Sequence, residues 1–248
     1  MIDKDLARSV LEEFLSLPIA SSKSVLDKFT SLPGAISHYD GKKRNFVYVP
    51  GTRDDKIVLA AHADTVWDDE YCDLNATQSI KLENGVYTGT NPEYGIGADD
   101  RAGCAILWLL KDSGHSLLIL DGEEYGQIGS EHIRDSYKEL YNEINDHSYI
   151  IQLDRRGSID YNVYKLPVTP DFLRFIEDKT GYVDAGNKSF TDIVALCQTV
   201  CGVNLSVGYY NEHTEREEIV FDQWYNTLLV VDRLISEKQK RFPLATHK

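Results

Sequence analysis

The sequence predicts an α/β protein in which helices cover both faces of a mixed central β-sheet, giving three layers. Strand-like apolar runs alternate with amphipathic stretches from one end of the chain to the other. Several runs are continuously apolar, as in strands that are buried on both faces. No repeat, low-complexity tract or Pro/Gly-rich linker interrupts the 248 residues. We therefore expect one domain spanning 1–248.

Helices are predicted where apolar residues recur at helical spacing. They are expected near 3–16, 22–31, 101–111, 127–142, 169–180, 190–201 and 221–239. In the first of them, Leu6, Val10 and Phe14 lie among charged residues. A signal peptide would instead begin with basic residues and continue as an unbroken apolar stretch. This N-terminus is therefore expected to be a helix of the mature protein.

Strands are predicted at 44–50, 56–61, 116–121, 148–153, 158–164 and 203–208. Some are expected to be antiparallel strands at the edge of the sheet. The segment 79–88 has Asn84 and Gly85 between two short strand-like pieces, which indicates a β-hairpin.

Composition excludes several classes of partner. With 26 Lys and Arg against 40 Asp and Glu, the net charge of −14 opposes binding to nucleic acid. No apolar run reaches the roughly 18 to 20 residues that span a bilayer, so no membrane partner is expected. The four cysteines (Cys72, Cys104, Cys197 and Cys201) are too sparse for a disulfide scaffold and favour a reducing cytoplasm. Cys197 and Cys201 are expected to share a buried helix face rather than bind metal.

Ionisable side chains follow four of the predicted strands. They are His62 and Asp64, Glu123 and Glu124, Asp154, and His213. Because ligands of open α/β sheets bind beyond the carboxyl ends of the strands, these residues are expected at one edge of the sheet.

Asp99 and Asp100 add to this set, because they lie between a glycine-rich turn and the helix that starts near Arg101. Two histidines and several carboxylates suit zinc, with cobalt or manganese as substitutes. Two metals need a shared ligand, which a carboxylate such as Asp99 can supply. Each motif alone has a simpler interpretation: a structural HxD pair, a helix N-cap, a solvated Glu pair, a turn aspartate or a loop histidine.

In order and spacing, five motifs resemble those of the co-catalytic dizinc exopeptidases, which include peptidase T, glutamate carboxypeptidase, the desuccinylases and deacetylases of amino-acid synthesis, and the zinc aminopeptidases. The motifs are HADTV (62–66), GADDRAG (97–103), DGEEYGQIGS (121–130), the lone Asp154 and NEHTERE (211–217). The resemblance covers most of the chain. It implies the zinc-exopeptidase fold and two Zn²⁺ ions, one held by His62 and Asp154, the other by Glu124 and His213, with Asp99 bridging.

The same resemblance assigns proton transfer to Glu123 and orientation of the His62 ring to Asp64. Asp100 is expected to be a helix cap or to support a ligand. Thr191 and Asp192 resemble a pair that lines the substrate pocket in relatives, although Thr191 could equally be an N-cap.

The chain departs from many relatives in one respect. His213 follows Asp154 by only 59 positions, which leaves no room for the inserted lid or dimerisation domain that those relatives carry there. Because the clamp for a substrate carboxylate draws on that domain, we predict an aminopeptidase acting on short peptides. Arg101, Arg155, Arg156 and Arg216 lie near the proposed ligands, where each could clamp a carboxylate. For at least three of them, pairing with the surrounding acids is favoured.

Other functions are compatible with the same residues. A carboxypeptidase or an N-acyl amino acid deacylase could use the same site. A binding or regulatory protein could keep the fold without the chemistry, and a single-zinc acyl transfer such as glutaminyl cyclisation would need one metal. The substrate is expected to be a short peptide or an acylated amino acid, and the sequence predicts no oligomeric state.

Overall fold

A computed structural model describes residues 2–68, 78–186 and 190–245. The helices are α1 (Lys4–Leu15), α2 (Ser22–Thr30), α3 (Ala98–Leu109), α4 (Ile128–Ser136), α5 (Lys138–Asn145), α6 (Pro170–Thr180), α7 (Asp192–Leu196) and α8 (Phe221–Ser236). The strands are β1 (Ile36–His38), β2 (Phe46–Val49), β3 (Val58–His62), β4 (Ile80–Glu83), β5 (Val86–Gly89), β6 (Ser116–Leu120), β7 (Ile150–Arg155), β8 (Asp160–Asn162), β9 (Val183–Asp184), β10 (Gly202–Ser206), β11 (Tyr209–Tyr210) and β12 (Glu218–Val220).

The main sheet has eight strands in the order β1-β2-β6-β3-β7-β10-β8-β9. Its centre, β6-β3-β7-β10, is parallel, while β2 and β8 pair antiparallel to it. Every residue of β2, β3, β6 and β10 is buried. Full burial requires cover on both faces, and α3 packs on β3 and β7 while α7 packs on β7 and β10. The predicted mixed α/β fold is confirmed.

A second, four-stranded sheet has the order β11-β12-β5-β4. The predicted hairpin forms β4 and β5, and Asn84 and Gly85 have the positive φ angles, 53° and 82°, that its tight turn requires. The sequence did not reveal β11 and β12, which join this hairpin. Pairing of β12 with β5 brings the loop between β11 and β12 beside the glycine-rich segment that precedes α3.

Two predicted helices differ from the observed ones. The segment 127–142 forms two helices, because Tyr137 leaves helical geometry at φ −117° and ψ 61°. The segment 190–201 is helical only over α7, because Cys197 is extended. Cys197 and Cys201 are buried as predicted, but neither lies inside a helix. Cys72 lies outside the described residues. In the described part of the chain, no helix combines the length and apolarity needed to cross a membrane.

Arg101 has a role that neither sequence-based interpretation anticipated. Its side chain is fully buried and donates hydrogen bonds to backbone carbonyls at the end of α1 and just beyond it. The acceptors are the carbonyls of Phe14, Leu17, Pro18 and Ile19. Arg101 is therefore neither a substrate clamp nor a surface ion pair, and it ties the start of α3 to α1.

We expect Arg101→Met to lower the free energy of unfolding by about 3 kcal/mol, because it removes the donor to the carbonyls of Leu17 and Pro18, at roughly 1–3 kcal/mol each. Arg216→Met is the matched control, since the Arg216 side chain is 83% exposed and its loss should change stability by at most about 0.5 kcal/mol. Urea denaturation of the two variants measures both values. Equal stability would contradict this role for Arg101.

Candidate metal centre and active site

The carboxyl ends of three parallel strands deliver the first group of site residues. His62 is the last residue of β3 and pairs in register with Leu120, the last residue of β6. Glu123 and Glu124 follow β6 after a short turn, and Asp154 lies near the end of β7. This is the edge of the sheet that the sequence predicted for them.

The buried half of the site is built around His62, whose side chain is 1% exposed. Its Nε2 atom lies 3.0 Å from Oδ1 of Asp99 and 3.3 Å from Oδ1 of Asp154. The side chains of His62, Asp99 and Asp154 therefore meet at one buried point.

The second half is more open, because the side chain of His213 is 49% exposed. Nε2 of His213 lies 3.0 Å from Oε1 of Glu124 and 3.2 Å from Oδ2 of Asp99. The two oxygens of Asp99 thus face different histidines. Asp99 occupies the position between two ligand groups that a bridging carboxylate needs.

The distances between these donor atoms fit a metal centre. Two ligands at about 2.0–2.1 Å from a tetrahedral zinc lie ~3.3 Å from each other, and the four separations observed here are 3.0–3.3 Å. Independently of the pairing expected from the motifs, donor atoms of His62, Asp99 and Glu124 lie within 4.8 Å of one another, as do those of His62, Asp100 and Asp154. The donors suit a divalent cation of the zinc class.

Asp100 comes close to the buried half but is held by backbone groups. Its Oδ1 accepts from the N–H of Gly103, and its Oδ2 accepts from the N–H of His62. A Cβ atom on Gly103 would lie 2.6 Å from both oxygens and 2.0 Å from the carbonyl oxygen of Leu153. Asp100 therefore caps α3 and supports the end of β3, which leaves Asp99 as the bridging candidate.

Asp64 lies behind the ligands and is fully buried. Its carboxylate accepts hydrogen bonds from the backbone N–H groups of Glu123, at 3.3 Å, and Glu124, at 3.2 Å. Nδ1 of His62 lies 3.1 Å from the Asp64 carbonyl oxygen and 3.4 Å from its Oδ1. Asp64 thus orients the His62 ring, with Nε2 directed at the ligands, and it also aligns the Glu pair.

Three further residues hold Asp154 in place. Gln152 donates to its Oδ2 at 2.8 Å, Thr191 donates to the same atom at 2.9 Å, and Tyr209 donates to Oδ1 at 3.3 Å. Thr191 does occupy the N-cap position of α7, as the alternative interpretation expected, but its hydroxyl bonds to Asp154 and makes no capping hydrogen bond to the helix. Gln152 could have been suspected, because alternate residues of a strand share a face. No sequence signal identified Tyr209.

The site concentrates negative charge away from water. Burial and the neighbouring Asp99 raise the pKa of Glu124 to about 7, and burial together with Asp154 raises the pKa of Glu123 well above its usual range. Hydrogen bonds to Asp99 and Glu124 raise the pKa of His213 to about 11. Buried carboxylates in such proximity favour a bound cation that would offset their repulsion.

A cleft of about 320 Å³ opens onto this site. Besides Glu123 and four of the candidate ligands, its walls include Arg155, Arg156, Tyr164, Phe190 and Glu212, whereas His62 lies below them. The expected pairing of arginines with acids is found for three of the four. Arg155 pairs with Asp160, Arg156 with Glu212, and Arg216 with Glu215.

No protein-family model and no curated protein matches the sequence. Solved structures do match the fold. The aminopeptidase PepT of Bacillus cereus is 16% identical, with a TM-score of 0.66 over 95% of this chain and 98% of that one. A tripeptidase of Staphylococcus aureus is 12% identical, with a TM-score of 0.66 over 95% and 98%. An aminopeptidase of the archaeon Desulfurococcus kamchatkensis is 13% identical, with a TM-score of 0.64 over 95% and 96%. The chain therefore has the fold of these peptidases, as the motifs predicted.

Proposed function

We propose that this chain is a metal-dependent exopeptidase that hydrolyses an amide bond in short peptides and prefers a free amino terminus. The observation that supports it most is the placement of Asp99, whose two oxygens face His62 on one side and His213 on the other. This arrangement, in a fold shared with aminopeptidases and a tripeptidase, is suited to a pair of metal ions.

Two Zn²⁺ ions would be held by the five donor residues, with Co²⁺ or Mn²⁺ as substitutes. His62 and Asp154 would hold one ion, and Glu124 and His213 would hold the other. Asp99 would contribute to both. When bound, such ions polarise a carbonyl group and lower the pKa of water from 15.7 to about 7. The two complete sets of donors favour two ions over the single ion of a cyclisation enzyme.

Glu123 is the proposed general base. It lines the cleft, and its backbone N–H donates a hydrogen bond to the Asp64 carboxylate. Because that bond does not use the side chain, the Glu123 carboxylate is available to a molecule in the cleft. Glu123 would accept a proton from the water that attacks the scissile carbonyl carbon. It would then deliver that proton to the departing nitrogen. Burial and the neighbouring Asp154 raise the pKa of Glu123 above the usual range of a carboxyl group, which makes it a stronger base than an exposed glutamate.

The charges of the cleft support recognition of an amine. Glu212 and the ligand carboxylates line the walls, while Arg155 and Arg156 are engaged by Asp160 and Glu212. Glu212 is itself paired with Arg156, but the acids on the walls outnumber the two arginines, so a protonated amino group would meet net negative charge there. A carboxylate would have to compete with existing ion pairs for the guanidinium groups.

We expect a peptide with a free amino terminus and an amidated carboxyl end to be cleaved about 10- to 100-fold faster than its acetylated, free-acid counterpart. This ratio corresponds to one charge-assisted hydrogen bond of roughly 1.5–3 kcal/mol. Chromatography of the products, with zinc, cobalt or manganese added in separate reactions, identifies the residue released.

The outcome also separates the alternatives. Faster cleavage of the acetylated free acid would identify a carboxypeptidase or a deacylase, a result that the position of Arg155 and Arg156 on the cleft wall would explain. Metal binding without turnover on any peptide or N-acyl amino acid would instead favour a binding or regulatory protein.

A further inference from the structure

Glu217 is a buried acid to which the mechanism above assigns no role. It is 2% exposed and lies four positions after His213, at the end of the loop between β11 and β12. Its side chain points to the segment 95–99, which includes the first residues of α3 and carries Asp99. A carboxylate removed from water in this way needs hydrogen-bond donors to offset its burial.

Three backbone N–H groups of that segment supply them. Oε2 of Glu217 accepts from Ile96 at 2.9 Å and from Gly97 at 2.7 Å, and Oε1 accepts from Asp99 itself at 2.9 Å. Both oxygens therefore act as acceptors. Burial raises the pKa of Glu217 to about 8, while the three hydrogen bonds oppose that rise because they favour the carboxylate form.

The glycine-rich segment is shaped around this carboxylate. A Cβ atom on Gly95 would lie 2.4 Å from Oε2 of Glu217 and 2.8 Å from the carbonyl oxygen of Thr214. Gly97 adopts a positive φ of 64°, which favours glycine. The chain thus passes close to Glu217 because glycine occupies the contact point.

The two segments joined by Glu217 carry His213 and Asp99, two of the three donors in the open half of the site. Apart from the contacts of the His213 ring and the pair between Glu212 and Arg156, the hydrogen bonds of this loop with described residues are local, from Thr214 to Asn211 and from Arg216 and Glu217 to Thr214. Its ion pair from Glu212 to Arg156 involves an exposed arginine. By contrast, His62 and Asp154 lie on strands of the main sheet and have their own supports in Asp64, Gln152 and Thr191.

We propose that Glu217 is a positioning residue that holds the His213 loop against Asp99, so that the metal bound by Glu124 and His213 depends on it more than the metal bound by His62 and Asp154. This inference rests on the proposed dizinc function. It implies that the two sites are unequal, with a preformed buried site and an open site whose affinity depends on a contact between two loops.

The test is calorimetric titration of the metal-free full-length chain with Zn²⁺ alone, for the wild type and Glu217→Gln. The glutamine keeps the size of the side chain but places an NH₂ group where one acceptor oxygen stood. We expect the weaker of the two binding events to lose about 10- to 100-fold in affinity, the usual effect of removing a group that orients a ligand. The tighter event should lose less affinity, because His62 and Asp154 keep their own supports even though Asp99 is shared by both ions.

Glu215→Gln is the matched control, because it removes the same charge from the same loop at an exposed position. Gly95→Ala is an independent second variant, since its methyl group would displace the Glu217 carboxylate without altering it. It should reproduce the selective loss. Circular dichroism confirms that each variant is folded.

The proposal would be overturned if each ion bound Glu217→Gln with the same affinity as it binds the wild type. It would also be overturned if both binding events lost affinity equally. Failure of both Glu217→Gln and Gly95→Ala to fold would also overturn it, because Glu217 would then serve the fold as a whole. Failure of the proposed function is distinguishable, since the wild type itself would then bind fewer than two ions.

Discussion

Replacing Glu123 with glutamine should leave the metal content unchanged and lower kcat by about 10²- to 10⁴-fold, the usual contribution of a positioned general base. The amide cannot accept the proton of the attacking water. Glu123 makes no contact with His62 or His213 comparable to those of the ligands, and its backbone N–H bond to Asp64 does not depend on the side chain. This variant should therefore keep its metal while losing most of its catalytic activity.

The measurement combines metal analysis with kinetics on the best peptide substrate. Glu131→Gln is a suitable control, because Glu131 is an exposed residue of α4. Wild-type turnover in Glu123→Gln would remove Glu123 from the role of base. Loss of metal in the same variant would instead make it a ligand.

Removal of metal should abolish hydrolysis, and added Zn²⁺ should restore it. His62 contacts Asp99 and Asp154, and His213 contacts Asp99 and Glu124, so without a cation the buried carboxylates of this cluster repel one another at close range. The metal-free protein should also melt at a lower temperature, because a ligand present at 1,000 times its Kd contributes about 4.1 kcal/mol to stability.

This experiment requires dialysis against a chelator, followed by titration with zinc and assay at each step. Magnesium serves as a control ion, since it prefers oxygen ligands in an octahedral arrangement and two imidazoles suit it poorly. Full activity after exhaustive metal removal would contradict the proposed function. Restoration by one ion per chain would favour a single-metal mechanism.

The sequence alone determined the fold class and which residues meet at the site. The fold class and the shared edge of the sheet follow from local pattern, whereas the assignment of ligands, bridge and base came from the resemblance to the dizinc exopeptidases. Continuous apolar runs identify strands buried on both faces, and the residues just beyond parallel strands must share one edge of the sheet. This reasoning places His62, Glu124 and Asp154 together without any knowledge of their contacts. The Asn84–Gly85 hairpin was predictable for the same reason, because its turn geometry depends on adjacent residues.

Contacts between distant segments were decided only by the tertiary structure. Glu217 bonds to residues 118 to 121 positions away, and Arg101 reaches carbonyls 82 to 87 positions away. Tyr209 meets Asp154 across 55 positions. No local pattern predicts such pairs, because they depend on how the two sheets and α1 pack together. The sequence thus predicted which groups could bind metal, while packing decided which buried side chains hold those groups in place.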